Sequence, residues 1–312
     1  MHFILLVLVS FIAIVARCAP HSIVEPWRII NAKTGEHEER QGPRLHWAAS
    51  YNDGTLVRDL IAHGETLAVR DDKGATALHI AAYFGRLESV KALLCRDNSC
   101  SELETGATEL LNSVDYDGGT PLHYAARGGK ERAIALLIKL GADVSAQARS
   151  GAMPLHIAAA VGMSASVRTL VRALEEKGLS NVIHMPYSES GASAIAAACA
   201  AGHTSTVEQL LEAGGCATCR HQHGRTLLHL AAASSSPSLV TMLLDYGARA
   251  DVVDEDGATP VHVAVAANSN AIYRILAQSA RGKEALRVSD KSGKTPLELA
   301  ESLGYVLVMP SR

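Results

Sequence analysis

The sequence is poor in aromatic residues and lacks the short motifs that carry most enzyme chemistry. Phenylalanine, tryptophan and tyrosine make up 4% of its 312 residues, which favours a core of alanine and leucine. It contains no glycine-rich phosphate loop, no Gly-x-Ser-x-Gly and no paired-carboxylate motif in a unique segment. We therefore expect a protein that is not an enzyme and that holds no cofactor.

The chain also lacks a basic segment. Its formal net charge is −3 at pH 7, and its lysines and arginines are not interleaved with aromatic residues that could stack on bases. We therefore expect no binding to nucleic acid. The hydrophobic fraction of 48% is high enough for a chain of this length to bury a large core.

Cysteines and glycosylation acceptors are scarce as well. The chain has 6 cysteines and no Asn-x-Ser or Asn-x-Thr sequence, a pattern typical of proteins that work in a reducing compartment. Cys95 and Cys100 flank an inserted segment, and the sequence leaves open whether they pair. Cys199 occupies a position that small core residues hold elsewhere, and we expect it to be inert.

One long hydrophobic run occurs, and it lies at the beginning of the sequence. Residues 1–15 are almost wholly apolar, and Ala16 and Cys18 place small residues at the −3 and −1 positions of a cleavage site. We predict a signal peptide over residues 1–18, with a retained membrane anchor as the alternative. The mature chain is then expected to be secreted, to have no membrane span and to be a monomer.

A phrase of the form Leu-His-x-Ala-Ala recurs eight times through the rest of the chain. Its second position falls at residues 46, 79, 123, 156, 196, 229, 262 and 298, and four of the seven intervals are 33 residues. Threonine before proline, as at Thr120-Pro121, supplies an N-cap hydroxyl and a preorganised first helical residue. Glycines such as Gly85 end this helix, and a second helix with an apolar face follows.

This period and the Thr-Pro-Leu-His-x-Ala phrase resemble the ankyrin repeat, and the match covers roughly residues 41–309. The resemblance implies an all-α fold, an ankyrin-repeat solenoid of about eight repeats, with about fifteen short helices in antiparallel pairs and no substantial sheet. We place the repeats at residues 41–70, 71–100, 115–145, 148–178, 188–217, 221–250, 254–283 and 290–309.

Two further expectations follow from the repeat. The insertions at residues 96–114 and 176–186 should be its least regular parts. One architectural role, hydrogen bonding to the local backbone and threonine, accounts for all the histidines that recur in the phrase: His46, His79, His123, His156, His229 and His262.

Residues 19–40 form a mostly polar leader that we expect to be flexible. Glu38-Glu39-Arg40, shortly after a signal peptide, resembles the second half of the RxLR-dEER leader of oomycete host-targeted effectors. Arg28-Ile29-Ile30-Asn31 stands in the place of the first half, with Ile30 for leucine and Asn31 for the closing arginine. The match is therefore degenerate, and an ordinary charged linker is the alternative.

One cluster has the chemistry of metal ligands: Cys216, Cys219, His221 and His223. A Cys-x2-Cys pair with two histidines suits tetrahedral zinc. The segment maps, however, onto the connector between the fifth and sixth repeats, where extended residues i and i+4 lie about 13 Å apart. We therefore expect no metal site.

The resemblance implies that a protein partner binds the hairpin tips and the inner helices. The tip residues are Asp72, Lys73, Tyr116, Asp117, Arg149, Glu189, Gln222, His223, Arg225, Glu255 and Asp256. Aromatic and cationic anchors on the first helices are Tyr83, Phe84, Tyr124 and Arg127. The acidic second, third and seventh tips favour a partner with basic patches.

The leading hypothesis is a secreted virulence effector that enters the cytoplasm or nucleus of a host plant cell and binds host proteins there. Binding would suppress host defence or cell death. The alternative is an extracellular or secretory-lumen ankyrin scaffold that enters no host cell. A Cys95–Cys100 disulfide favours the alternative, whereas a delivered effector should carry free thiols.

Overall fold

The computed structural model describes residues 44–95, 97, 100, 103–104, 106–187 and 191–306. The regular structure of these residues is helical; they form no strand of a sheet, only three isolated bridges between single residues. The all-helical prediction is confirmed. The predicted signal peptide (residues 1–18), the leader (residues 19–40) and Glu189 lie outside the described residues.

Seventeen α-helices occur in the part of the chain that the structure describes. In order they are α1 (Arg44–Ser50), α2 (Gly54–Ala62), α3 (Ala77–Phe84), α4 (Leu87–Leu94), α5 (Ala107–Leu111), α6 (Pro121–Arg127), α7 (Glu131–Lys139), α8 (Pro154–Val161), α9 (Ser164–Glu176), α10 (Ala194–Ala200), α11 (Thr204–Glu212), α12 (Leu227–Ala233), α13 (Pro237–Asp245), α14 (Pro260–Ala266), α15 (Asn270–Gln278), α16 (Gly282–Ala285) and α17 (Pro296–Leu303). All but α5 and α16 are repeat helices.

The helices fall into two compact units. We call the described residues of 44–158 and 169–179 the N-terminal unit, and those of 159–168 and 180–306 the C-terminal unit. The described residues contain no helix that is both long and apolar enough to cross a membrane.

In the N-terminal unit, α3 packs between α1 and α6. This close packing is possible because the alanine pair of each first helix, such as Ala81 and Ala82, is completely buried and adds little bulk. Leu78 and Leu93 contribute the larger core side chains. The helices bury one apolar face each, so neighbouring repeats stabilise one another.

The insertion that follows α4 is partly ordered. Its helix α5 buries Ala107 and Leu111, and a disulfide joins Cys95 at the end of α4 to Cys100. The inserted segment therefore buries apolar side chains of its own, which the 33-residue period does not predict. Residues 96, 98–99, 101–102 and 105 lie outside the described part.

The C-terminal unit repeats the same arrangement. Helix α12 packs against α10 and α14, and α14 packs in turn against α17. The second insertion forms a short 3-10 helix over Ser180–His184, which buries Val182 and Ile183. Tyr273 on α15 is the largest fully buried side chain of the chain's described residues.

Candidate protein-binding surface

Five of the recurring histidines hold the following hairpin tip against the helix that precedes it. At α3, the backbone N–H of Thr76 donates to His79 Nδ1 over 3.0 Å, and the Thr76 hydroxyl lies 2.9 Å from the same nitrogen. Since Nδ1 accepts a backbone N–H, the ring proton sits on Nε2, which donates to the Gly119 carbonyl at 3.0 Å. Gly119 belongs to the next hairpin, so one ring fixes the start of its own helix and the following tip.

The same pattern recurs in both units. Nε2 of His46, His123, His229 and His262 lies 2.9–3.0 Å from the carbonyls of Ala75, Ala152, Ala258 and Lys294. Burial lowers the pKa of His79, His123 and His229 to about 4, so these rings are neutral near pH 7. The predicted role, bonding to the local backbone and threonine, is confirmed for His79, His123, His229 and His262. Among the described residues, His156 Nδ1 accepts from Met153 N instead and His46 Nδ1 has no hydrogen-bond partner.

Buried aspartates shape the tips themselves. Asp115 Oδ1 accepts the backbone N–H groups of Asp117 at 2.9 Å and Gly119 at 2.6 Å. Asp254 Oδ1 does the same for Asp256 and Ala258, both at 2.9 Å. The turn carboxylate thus satisfies two donors that a tight hairpin leaves without backbone partners.

Adjacent tips are joined by backbone hydrogen bonds. In the N-terminal unit, Tyr116 N donates to Lys73 O at 3.0 Å and Arg149 N donates to Asp117 O at 2.8 Å. The second contact explains Gly118, because a Cβ there would lie 2.7 Å from the Arg149 nitrogen. In the C-terminal unit the same series runs from His223 through Glu255 and Asp256 to Lys291, with bonds of 2.9 Å. We call each row of joined tips a tip ridge.

The predicted tip residues differ in accessibility. Those that project into solvent are Asp72, Tyr116, Asp117, Arg149, His223, Glu255 and Asp256, with Tyr116 57% exposed. Lys73, Gln222 and Arg225 are half-buried. Arg225 Nε lies 3.6 Å from the buried Asp254 carboxylate, so part of its charge is used to support the turn.

The prediction that Tyr124 is an accessible anchor is wrong. It is only 4% exposed, and its hydroxyl donates to Asp115 Oδ2 at 2.8 Å while its ring meets the edge of His79. Its side chain therefore holds the turn aspartate by a hydrogen bond and is not an accessible anchor. Burial, together with the acceptor carboxylate, raises the pKa of Tyr124.

The other predicted anchors remain partly accessible. Tyr83 and Phe84 are half-buried and pack edge to face with ring centroids 5.2 Å apart. The Arg86 guanidinium lies 5.8 Å from the Phe84 centroid, and its Nε donates to Ser50 O at 2.7 Å. Arg127, half-buried as well, occupies in α6 the position of Tyr83 in α3.

The sequence-based prediction missed an exposed aromatic pair on α1. Trp47 and Tyr51 are 43% and 52% exposed, with ring centroids 4.9 Å apart. The signal was present, because Trp47 follows its histidine as Tyr124 does and Tyr51 occupies the position of Phe84. These two rings add to the apolar part of the N-terminal surface.

The cysteines of the metal-like cluster are paired. Cys216 is bonded to Cys219, so neither sulfur is a thiolate ligand in this state. Among the residues described, no group of three or more metal-binding side chains could hold an ion. Cys199 is free and buried, and burial raises the pKa of its thiol.

Known proteins resemble this chain over its repeats. A model of the family described as ankyrin repeats (3 copies) matches residues 22–104, 45–148, 100–181, 155–254 and 228–309. The chain is 34% identical over 142 residues to the B-cell lymphoma 3 protein homolog of Mus musculus, covering 44% of this chain and 29% of that protein. It is 32% identical over 169 residues to the tyrosine-protein kinase Shark of Drosophila melanogaster, covering 54% of this chain and 16% of that protein.

The chain spans less than a third of the length of these curated relatives. The human ASB11 ankyrin repeat domain has a crystal structure with a TM-score of 0.58 and 24% sequence identity, covering 77% of this chain and 95% of that one. This similarity confirms the predicted fold class, an ankyrin-repeat solenoid. Ankyrin repeats mediate protein–protein interaction and are typically non-enzymatic scaffolds. With family matches that together run from residue 22 to residue 309, the chain belongs to the ankyrin-repeat family.

Proposed function

We propose that this protein binds a partner protein through its tip ridges and the first helices beneath them. The observation that carries the proposal is the backbone bonding between adjacent tips. It sets exposed side chains at a fixed spacing before any partner arrives, which lowers the entropy cost of association.

The charge of the ridges indicates the partner's chemistry. Asp72 and Asp117 project from the N-terminal ridge, and Glu255 and Asp256 project from the C-terminal one. Against these stand Lys73, Arg149 and Lys291 on the same ridges. A partner with basic patches matches the acidic groups, and complementary charge raises the association rate more than it raises the affinity.

The charge-reversed variant Asp117→Lys with Glu255→Lys tests this proposal. Neither side chain accepts the backbone N–H groups of a turn, and the Glu255 carboxylate lies 3.5 Å from His223 Nδ1 on the exposed surface, so the helical circular dichroism should be unchanged. Association with a partner captured by the unaltered protein should slow by about tenfold or more at low salt. Glu109→Lys with Glu208→Lys makes the same charge change on exposed helix positions and is the control. Equal slowing by both variants would contradict binding at the ridges.

For the destination, we propose that the protein is a secreted effector that acts inside a host plant cell, in the cytoplasm or the nucleus, and suppresses defence or cell death there. The apolar run at residues 1–15 and the degenerate RxLR-dEER-like leader support this proposal. Arg28, Glu38, Glu39 and Arg40 would then serve delivery and not partner binding.

One observation favours the second candidate, the extracellular or secretory-lumen scaffold. Both Cys95–Cys100 and Cys216–Cys219 are bonded, and structural disulfides persist in oxidising compartments. A delivered effector would meet a reducing cytoplasm and carry these cysteines as thiols.

Delivery separates the two candidates. Replacing Arg28, Glu38, Glu39 and Arg40 with alanine should abolish activity when the pathogen secretes the protein. The same variant should remain active when residues 19–312 are expressed inside the recipient cell. If the variant remains active when the pathogen secretes it, the scaffold is favoured. If activity is lost in both settings, the leader contacts the partner.

A further inference from the structure

We propose that the Cys216–Cys219 disulfide is a thiol-exchange site that small thiols and protein thiols reach more readily than the other disulfide of the described residues. The inference rests on the two disulfides' surroundings and does not depend on the proposed function. It concerns the connector between α11 and the next hairpin, which we define as residues 213–220.

The two disulfides differ in the access they give to an attacking thiolate. Cys219 is exposed and Cys216 is half-buried, on a connector that forms no helix. Cys95 is 2% exposed at the end of α4 and bridges to Leu103 of the insertion, while Cys100 is half-buried. Exchange requires a thiolate to reach a sulfur, so accessibility governs its rate.

The connector adopts its path without needing the covalent bond. Where it begins, Gly215 N donates to Leu210 O at 2.8 Å, as Ala142 N and Ala248 N donate to Leu137 O and Leu243 O at 2.9 Å. Where it ends, His221 N bonds to Arg225 O as Asp254 N bonds to Ala258 O. Its backbone therefore matches the two equivalent connectors, which have no cysteine.

In those connectors, side-chain hydrogen bonds link the position of Cys216 to that of Thr218, and alanine or valine stands at the position of Cys219. Asp143 Oδ1 accepts the Ser145 backbone N–H at 2.9 Å and its hydroxyl at 2.7 Å. Arg249 pairs with the Asp251 carboxylate at 2.7 and 3.0 Å. Cys216 stands at the position of Asp143 and Arg249. The bond is thus placed where the fold tolerates its loss, unlike Cys95–Cys100, which closes an insertion that the repeat lacks.

The exchange takes two equivalents of thiol. A thiolate attacks Cys219 Sγ, forming a mixed disulfide at Cys219 and releasing Cys216 as a thiolate. A second thiolate attacks the incoming sulfur of that mixed disulfide and releases Cys219. The two thiols are oxidised to a disulfide, the cystine is reduced, and solvent protons complete the two cysteine thiols.

The test is exchange of the folded, oxidised full chain with glutathione, followed by alkylation and peptide mass measurement. Thiols or glutathione adducts at Cys216 and Cys219 should appear at least about tenfold sooner than at Cys95 and Cys100. Equal rates, or faster reduction of Cys95–Cys100, would overturn the proposal. No partner is needed, so failure here leaves partner binding at the ridges untouched.

Variants show whether the connector itself is the site. Cys216→Ser should leave Cys219 as a thiol that takes one glutathione adduct from oxidised glutathione. Cys216→Ser with Cys219→Ser should take none at the connector, and its thermal midpoint should stay within about 2 °C of the parent under oxidising conditions. A lower midpoint with loss of helical signal would show that the bond is structural and would refute an exchange role.

Discussion

The first helices of the two units present different surfaces at equivalent positions. In the N-terminal unit, the ends of α1, α3 and α6 carry aromatic or cationic residues: Tyr51 directly after α1, Tyr83 and Phe84 in α3, and Arg127 in α6. In α10, α12 and α14 of the C-terminal unit the same positions hold alanine or serine, at Ala200, Ala201, Ala233, Ser234, Ala266 and Ala267. The tip ridges, in contrast, are built alike in both. Aromatic and cationic anchors at these positions therefore occur on α1, α3 and α6 of the N-terminal unit, while α10, α12 and α14 of the C-terminal unit carry only small side chains there.

The largest expected effect is a loss of folding stability at acidic pH. It tests whether both units depend on the same buried, neutral histidines. His79, His123 and His229 have pKa values of about 4 when folded, against about 6.5 when unfolded. As the pH falls below 6.5, protons bind the unfolded chain first, and stability is lost until the pH reaches the folded pKa. At pH 5 the loss is about 2 kcal/mol for each ring, or roughly 6 for the three.

Urea unfolding at pH 7 and pH 5 measures this loss. A His79→Asn variant should have a smaller pH dependence, because one titrating ring is gone. A stability that does not change between the two pH values would contradict neutral, buried histidines.

The next effect compares one histidine from each unit. His79→Ala and His229→Ala each leave a threonine N–H and a carbonyl of the following hairpin without their partner, Gly119 O in one case and Ala258 O in the other. Each should lower the free energy of unfolding by about 2–4 kcal/mol. The exposed His184→Ala is the control. A large loss of stability for only one of the two variants would show that equivalent histidine contacts contribute unequally to the stability of the two units.

The smallest effect concerns the anchors that distinguish the units. Tyr83→Ala should weaken binding of a captured partner by about 1–2 kcal/mol, measured by titration calorimetry, with little change in unfolding. Ala233→Ser, at the position in α12 equivalent to Tyr83 in α3, should leave binding unchanged. If both variants weakened partner binding equally, the partner would not distinguish the aromatic first helices from those that carry small side chains. Tyr124→Ala is not a suitable binding variant, because its burial makes it a stability variant.

Much of the fold could be predicted because each repeat encodes its own ends. Thr120 and His123 specify a helix start, and Asp115 with Gly118 specifies a turn, by contacts within a few residues. The period then places the next copy. Local pattern therefore suffices for the helices, the turns and the role of the histidines.

What could not be predicted depends on neighbours that lie outside the period. Tyr124 and Trp47 occupy the same position of the phrase, yet one is covered and the other exposed, which depends on the side chains packed around each. Helix α5 arises in an insertion without a periodic pattern. The Cys216–Cys219 bond was missed because Cys-x2-Cys with two histidines pointed to metal ligation first.

The backbone bonds between tips have a consequence for how binding can change. Because main-chain atoms join Asp117 to Arg149 and His223 to Glu255, replacing the side chains of Asp117 or Glu255 breaks no backbone hydrogen bond between tips. The exposed side chains of a tip ridge can therefore be replaced one at a time while the distance between adjacent tips stays constant. Such a surface can follow a partner whose own sequence is changing, without the framework having to be rebuilt at each step.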